Sequence, residues 1–237
     1  MLLSDYKSAE LLLKAMDIDG YQSYQLYLDL GDVLRVNNKY SEAIEYYNQA
    51  LEKIDTPSNE HWVLYYALAI SYEQDKQWDK AEETFLKALE LSQNHYLVLN
   101  YLGYSWLKQG KNPEQAFEMI VDAYNQAPND GHILDSMGWA FYRLGLYDDA
   151  ITYMEKATEI EPANAVISNH LGDAYWFVGR KNEAGFQWNH VLTMKDETKE
   201  VDYDEVRNKI NGVAPKNDVP TYDKSLVANA IKEISKD

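Results

Sequence analysis

Leu134-Asp135-Ser136-Met137-Gly138-Trp139-Ala140-Phe141, answered by Tyr147-Asp148-Asp149-Ala150-Ile151-Thr152-Tyr153-Met154 and closed by Pro162, is the stretch that decides the fold. Large apolar residues fall three, four and seven apart in both halves, so each half presents one apolar helical stripe. Gly138 and Ala150 lack bulk, and two helix backbones can approach closely there. Gly145 lies between the halves and can end the first helix in a left-handed conformation. Two such stripes with a short break make an antiparallel helix pair.

Working outward, the same unit recurs. Alanines fall at 9, 43, 81, 116, 150 and 184, with spacings of 34, 38, 35, 34 and 34. Four residues after each comes Leu13, Tyr47, Phe85, Ile120, Met154 or Trp188. Upstream lie the large–small pairs Leu30-Gly31, Leu68-Ala69, Leu102-Gly103, Met137-Gly138 and Leu171-Gly172. Tyr27, Tyr65, Tyr72, Trp106, Phe141, Tyr175 and Trp188 take repeat slots and are expected in the core. Breaks fall at Asn37-Asn38-Lys39, Asp75-Lys76-Gln77, Gln109 to Pro113, Gly145 and Gly179. Asn112-Pro113-Glu114-Gln115 reads as a helix start, with Asn as cap, Pro in the first turn and Gln reaching back.

Composition excludes several function classes. The 237 residues carry 22 basic and 39 acidic side chains, a net charge of −17. Phosphate binding needs a basic face, so no nucleic-acid partner is expected. Apolar residues make up 46%, enough to form a core. There is no cysteine, hence no thiol nucleophile or cysteine metal site. The longest apolar run, Trp62 to Ile70, is half of what spans a bilayer, so no transmembrane segment is expected. Motifs for zinc proteases, phosphate loops, dinucleotide binding and nucleophile elbows do not occur. His132-x2-Asp135 and His170-x2-Asp173 each put His and Asp on one helical face, a spacing that can hold a metal. Asp135 and Asp173 on adjacent units also suit a carboxylate pair. Ordinary polar contacts are the simpler reading of both. No cofactor, metal or enzymatic activity is expected.

The repeat resembles the tetratricopeptide repeat, W-x2-L-G-x2-Y…A-x3-F…P at a 34-residue period, over roughly residues 24 to 195. Departures are local: Ala69 replaces Gly, Asp55-Thr56-Pro57-Ser58 is extra, and Ser168 stands where a large residue is usual. The resemblance implies an all-α fold, a right-handed α-solenoid of helix pairs with a C-terminal capping helix. Residues 1–20 read as the unpaired second helix of a partial repeat or as an N-terminal cap, 21–195 as five units, and 196–237 as an acidic linker and capping helices. The cap stripes are Tyr203, Val206 and Ile210, then Leu226, Val227, Ala230, Ile231 and Ile234. As written the chain reads as cytoplasmic. If the opening helix continues a longer array, the missing part could carry a secretion signal or lipid anchor, and the bacterial cell envelope or periplasm is then the expected compartment.

In tetratricopeptide arrays the free face of each first helix lines a concave groove. Helical projection puts Asn100, Tyr104 and Lys108 there from unit three, His132, Asp135, Trp139, Tyr142 and Arg143 from unit four, and Asn169, Asp173 and Trp176 from unit five. The preceding units supply Gln25, Leu28, Asp32, Arg35, Tyr66, Ile70 and Glu73. Asn100, Asp135 and Asn169 recur at one place and can hydrogen-bond an extended backbone. The aromatics add apolar contact. The alternative is that these side chains pack against the C-terminal helix of the same chain. Lys108, Arg35 and Arg143 are the face's cations, too few for a carboxylate clamp of the chaperone-binding kind. Leu99 to Tyr104, Leu134 to Trp139 and His170 to Trp176 resemble the C-terminal repeats of bacterial proteins of this family, some of them envelope lipoproteins that present substrates to carboxyl-terminal processing proteases. The expected function is a non-catalytic scaffold or adaptor binding a protein or extended peptide. The alternatives are a self-associating homo-oligomeric scaffold and a regulatory part of a larger enzyme.

Overall fold

The computed structural model describes residues 7, 9–11, 13, 14, 16, 20, 23–194 and 201–216. Helices follow in the order α1 Tyr24–Val36, α2 Tyr40–Glu52, α3 Trp62–Gln74, α4 Trp78–Ser92, α5 Tyr96–Gln109, α6 Pro113–Gln126, α7 Gly131–Arg143, α8 Tyr147–Ile160, α9 Ala165–Phe177, α10 Lys181–Thr193 and α11 Tyr203–Ile210. A 3-10 turn, Asn59–His61, precedes α3. The described residues from 7 to 16 are helical as well, and no strand occurs among the described residues. The chain divides into two units, Met1–Val98 and Leu99–Asp237, each with its own interior.

In the first unit, Leu26, Tyr27, Leu30 and Leu34 of α1 pack on Ala43, Ile44, Tyr47 and Ala50 of α2, with Leu64, Ala67 and Leu68 of α3 closing the cluster. Gly31 is required there, because a Cβ would strike the Tyr47 ring. Ser23 caps α1, accepting the Leu26 N–H at 3.1 Å. The 38-residue spacing is explained by the 3-10 turn, whose Ser58 N–H donates to His61 Nδ1 at 3.0 Å. Leu13 of the N-terminal helical segment packs on this core. Glu10 accepts from Lys39 Nζ at 2.8 Å, a bond that holds its carboxyl below the usual glutamate range. Tyr72 packs against this core from its edge, and Tyr65 departs from the core expectation. Both are half-buried and line an open cleft with Leu51, Leu86 and Lys80.

In the second unit the same contacts recur. A Cβ at Gly103 would lie 2.8 Å from the Ala116 carbonyl oxygen, and one at Gly138 would lie 2.5 Å from Met154 Cγ. At Gly172 it would strike the Trp188 indole. Asp130 caps α7 through the N–H groups of His132 and Ile133, and Asn164 caps α9 through those of Val166 and Ile167. α6 starts at Pro113 with Asn112 at the cap position as expected, but the cap itself differs. Asn112 has φ 42°, and its side chain makes no capping bond. The breaks inside the hairpins share one device, a left-handed residue: Gly110, Gly145 and Gly179, but Asn38 (φ 58°) and Lys76 (φ 63°) in the first unit. Trp106, Phe141, Tyr175 and Trp188 are buried as expected.

α11 follows the fifth pair and packs on α10. Asp202 caps it, accepting from the Asp204 and Glu205 N–H groups at 3.0 and 3.1 Å. Val206 is buried, and so is Lys209, which no apolar stripe foretold. The stripe from Leu226 to Ile234 lies outside the described residues.

Candidate functional site

α5, α7 and α9 are the first helices of three successive pairs, and they carry all nine site residues expected from the sequence. The structure brings four of them into one aromatic layer. Tyr104 and Trp139 have ring centroids 6.5 Å apart. Trp139 stacks on Tyr142 at 4.9 Å and 13°. The Arg143 guanidinium lies 5.8 Å above the Trp139 ring. His170, which the projection left off this face, stacks on the same indole at 4.3 Å. Tyr142 continues the layer edge-on to Phe177 at 5.7 Å. Trp176 stands apart, against Trp188 at 5.6 Å and beneath Lys181 at 4.5 Å.

The row of Asn100, Asp135 and Asn169 is less free than its spacing suggests. Both Asp135 oxygens are bonded to His170 Nδ1, at 2.9 and 3.1 Å. Asn169 accepts from Lys209 Nζ at 3.2 Å. Asp173 accepts from the Trp188 indole N–H at 3.1 Å and from Lys209 at 2.8 Å. The packing alternative therefore describes Asn169 and Asp173, because α11 reaches over both. Burial pushes the Asp173 carboxyl up, while Lys209, His170 and Trp188 pull it down. Burial also opposes ionisation of Glu205, yet Lys209 and Lys216 outweigh it and hold that carboxyl below its usual range. The Tyr142 phenol is raised by burial and by the nearby Asp173 charge.

Asn100 Oδ1, Trp139 Nε1 and Tyr142 Oη are buried with no hydrogen-bond partner among the described residues. Buried polar atoms are nearly always paired, so these three mark where the face wants a further donor or acceptor. No group of three metal-ligating side chains forms among the described residues. His132 is exposed, and His170 pairs with Asp135 of the preceding repeat rather than with Asp173 of its own helix turn.

Sequence reasoning missed Lys209, and it named His170 only for a metal spacing with Asp173, not as part of this face. A histidine one repeat plus one residue after an aspartate is the signal for His170. A second signal lies in the residue after each small slot. Asp32 follows Gly31 and accepts from the Tyr47 hydroxyl at 2.7 Å, as Asp173 follows Gly172 and accepts from Trp188. Where the facing residue is Phe85, Ile120 or Met154, with no donor, the slot holds Ile70, Tyr104 or Trp139 instead. Two of the face's aspartates thus have a packing reason of their own.

The sequence matches tetratricopeptide repeat profiles over residues 22–94, 66–128 and 132–164. The chain belongs to the tetratricopeptide repeat family. A curated relative, TPR repeat-containing protein PA4667 of Pseudomonas aeruginosa, is 28% identical over 167 residues, or 70% of this chain. The chain spans only 28% of that relative's length. Among solved structures, the APC/C hetero-tetramer Cut9-Hcn1 superposes with a TM-score of 0.75 at 20% identity, over 86% of this chain and 39% of that one. YrrB, described as a TPR protein with an unusual peptide-binding site, superposes with a TM-score of 0.52 at 19% identity, over 84% and 97%. Both are similar in tetratricopeptide fold. Proteins of this family generally mediate protein–protein interactions and are typically non-catalytic.

Proposed function

We propose that the chain is a non-catalytic scaffold or adaptor that holds a segment of a partner protein across the first-helix face of its second unit. The aromatic layer of Tyr104, Trp139, Tyr142 and His170, crossing three successive first helices, carries this reading. Tyr104 and Trp139 are half-exposed, and aromatic rings beside a guanidinium are frequent anchors at interfaces. Asn100, with its unpartnered oxygen, lies one helical turn before Tyr104 on α5. Asp135, Arg143 and Trp176 complete the face, while Asn169 and Asp173 serve it where α11 does not. The peptide-binding site of YrrB supports the analogy. A photo-crosslinking residue in place of Tyr104 should capture the partner in the source cells. The same residue in place of Glu118, exposed on α6, should not. Capture from 118 alone would place the partner elsewhere.

Self-association is the second reading. Leu11 and Met16 of the N-terminal helical segment are exposed apolar side chains. A mass by light scattering that stays monomeric as concentration rises would remove it.

A further inference from the structure

We infer that α11 is a tethered stand-in for the partner: Lys209 occupies a pocket on the first-helix face that takes a lysine or arginine side chain from the partner's segment. The inference rests on the scaffold reading above and adds what the segment carries and what must leave first.

The pocket is built for one ammonium group. Lys209 Nζ lies 2.8 Å from both Asp173 oxygens, 3.2 Å from Asn169 Oδ1 and 3.2 Å from Glu205 Oε1. An ammonium has three donors to give. The Trp188 ring, 6.0 Å from Nζ, forms one wall. Asp173, Asn169 and Trp188 belong to α9 and α10, so that part of the pocket does not depend on α11, whereas the Glu205 contact is α11's own. The Trp188 indole holds the Asp173 carboxylate in place independently. A buried carboxylate without a cation is costly, so the pocket favours an element that brings a positive charge.

The hold of α11 on this pocket is narrow. Of its eight residues only Val206 and Lys209 are buried, against nine buried residues in α9. Arg207 pairs with Asp204 and Glu205 with Lys216, both inside residues 201–216. Elements with few buried apolar contacts open locally, ahead of the whole fold. The Tyr142 hydroxyl, buried near Asp173 and Glu205, remains unpartnered with α11 in place. The stand-in therefore leaves unsatisfied a group that a better-matched segment can bond. Val206 and Lys209 show the pattern to expect, an aliphatic residue three positions before the cation. The net charge of −17 favours the approach of such a basic segment.

The probe is a labelled synthetic peptide of residues 201–216, offered to the full chain. Lys209→Met keeps the apolar stem but removes the charge. The peptide should bind the Lys209→Met chain at least tenfold more tightly than the unaltered chain. A peptide carrying Met in place of the lysine should lose at least tenfold, as should the unaltered peptide on a Lys209→Met, Asp173→Asn chain. Hydrogen exchange on the unaltered chain is the second measurement: α11 amides should exchange at least tenfold faster than those of α9 and α10. Equal exchange would overturn the inference, and it decides alone if Lys209→Met fails to fold. So would a folded Lys209→Met chain that binds the peptide no better than the unaltered one. Capture through position 104 separates the two levels. Capture without peptide binding sinks the stand-in alone, whereas no capture sinks the scaffold reading beneath it.

Discussion

The same substitution, glycine to alanine, should have opposite signs at two helical positions of the second unit. At Gly185 an added Cβ meets nothing within 4 Å. Only the helix propensity changes there, a gain of roughly 0.8–1 kcal/mol. At Gly138 the Cβ would lie 2.5 Å from Met154 Cγ, 3.3 Å from Met154 Cε and 3.0 Å from the Ala150 carbonyl oxygen. The methionine can swing aside. The carbonyl belongs to the α8 backbone and retreats only if the helices separate. Overpacking of this kind costs about 1–3 kcal/mol, against the same propensity gain, leaving a net loss of up to about 2 kcal/mol. A chain of this size shifts its melting temperature by roughly 2–4 °C per kcal/mol. Gly185→Ala should therefore raise the melting temperature by roughly 2–4 °C, and Gly138→Ala should lower it by up to about 8 °C. Gly138→Leu should cost more than Gly138→Ala. Thermal melting followed by far-ultraviolet circular dichroism measures all three. Adding Met154→Ala to Gly138→Ala should reveal a favourable coupling of about 1 kcal/mol, because it removes the nearest clash. A Gly138→Ala chain at least as stable as the unaltered one would refute the account of close helix approach.

Lys76→Gly should stabilise the first unit by about 0.5–1 kcal/mol, since a left-handed lysine is strained and glycine is not; urea titration measures it. Tyr47→Phe should cost about 1 kcal/mol by removing the hydroxyl that donates to Asp32 at 2.7 Å and accepts from Arg35 at 3.2 Å; the denaturant midpoint reads it. His95 stacks between Trp62 and Tyr96, each at 4.5 Å, and its Nδ1 accepts from the Leu97 N–H at 3.3 Å. Burial lowers its pKa from the ordinary 6.5. The neutral ring therefore contributes stability that is complete above the unfolded-state value and lost as pH falls through the lowered folded value. Denaturation midpoints should fall on acidification below pH 6.5, and less steeply in His95→Gln.

The helix pairs were legible because a 3.6-residue stripe and a small slot repeat at fixed distance, and both are properties of the chain itself. The left-handed glycines at 110, 145 and 179 were legible for the same reason. Lys76 was not, because its left-handed turn follows from the hairpin's closure and overrides the lysine's preference. The first-helix face was legible as a set of residues, but its wiring was not. Lys209 is distant in sequence from Asn169 and Asp173, and no helical projection joins an appended helix to a repeat. Asp135 pointed by spacing to His132 on its own helix, yet it bonds His170, because side chains of neighbouring first helices meet across the stack. Tyr65 and Tyr72 took core slots in the pattern, yet they border a cleft that the neighbouring second helices leave open.

The aspartate after the small slot and the aromatic donor opposite it always belong to the same hairpin. The first and fifth hairpins thus each carry both halves of their own lock. Genetic exchange that cuts at Pro128 or Pro162 would deliver matched pairs to any new position in an array. A crossover inside a hairpin would instead set a carboxylate beneath a phenylalanine or methionine, or an indole N–H beneath a hydrocarbon. A cut at Pro162 would still part Asp135 from His170, so the hairpin is the smallest piece that keeps this lock rather than every contact.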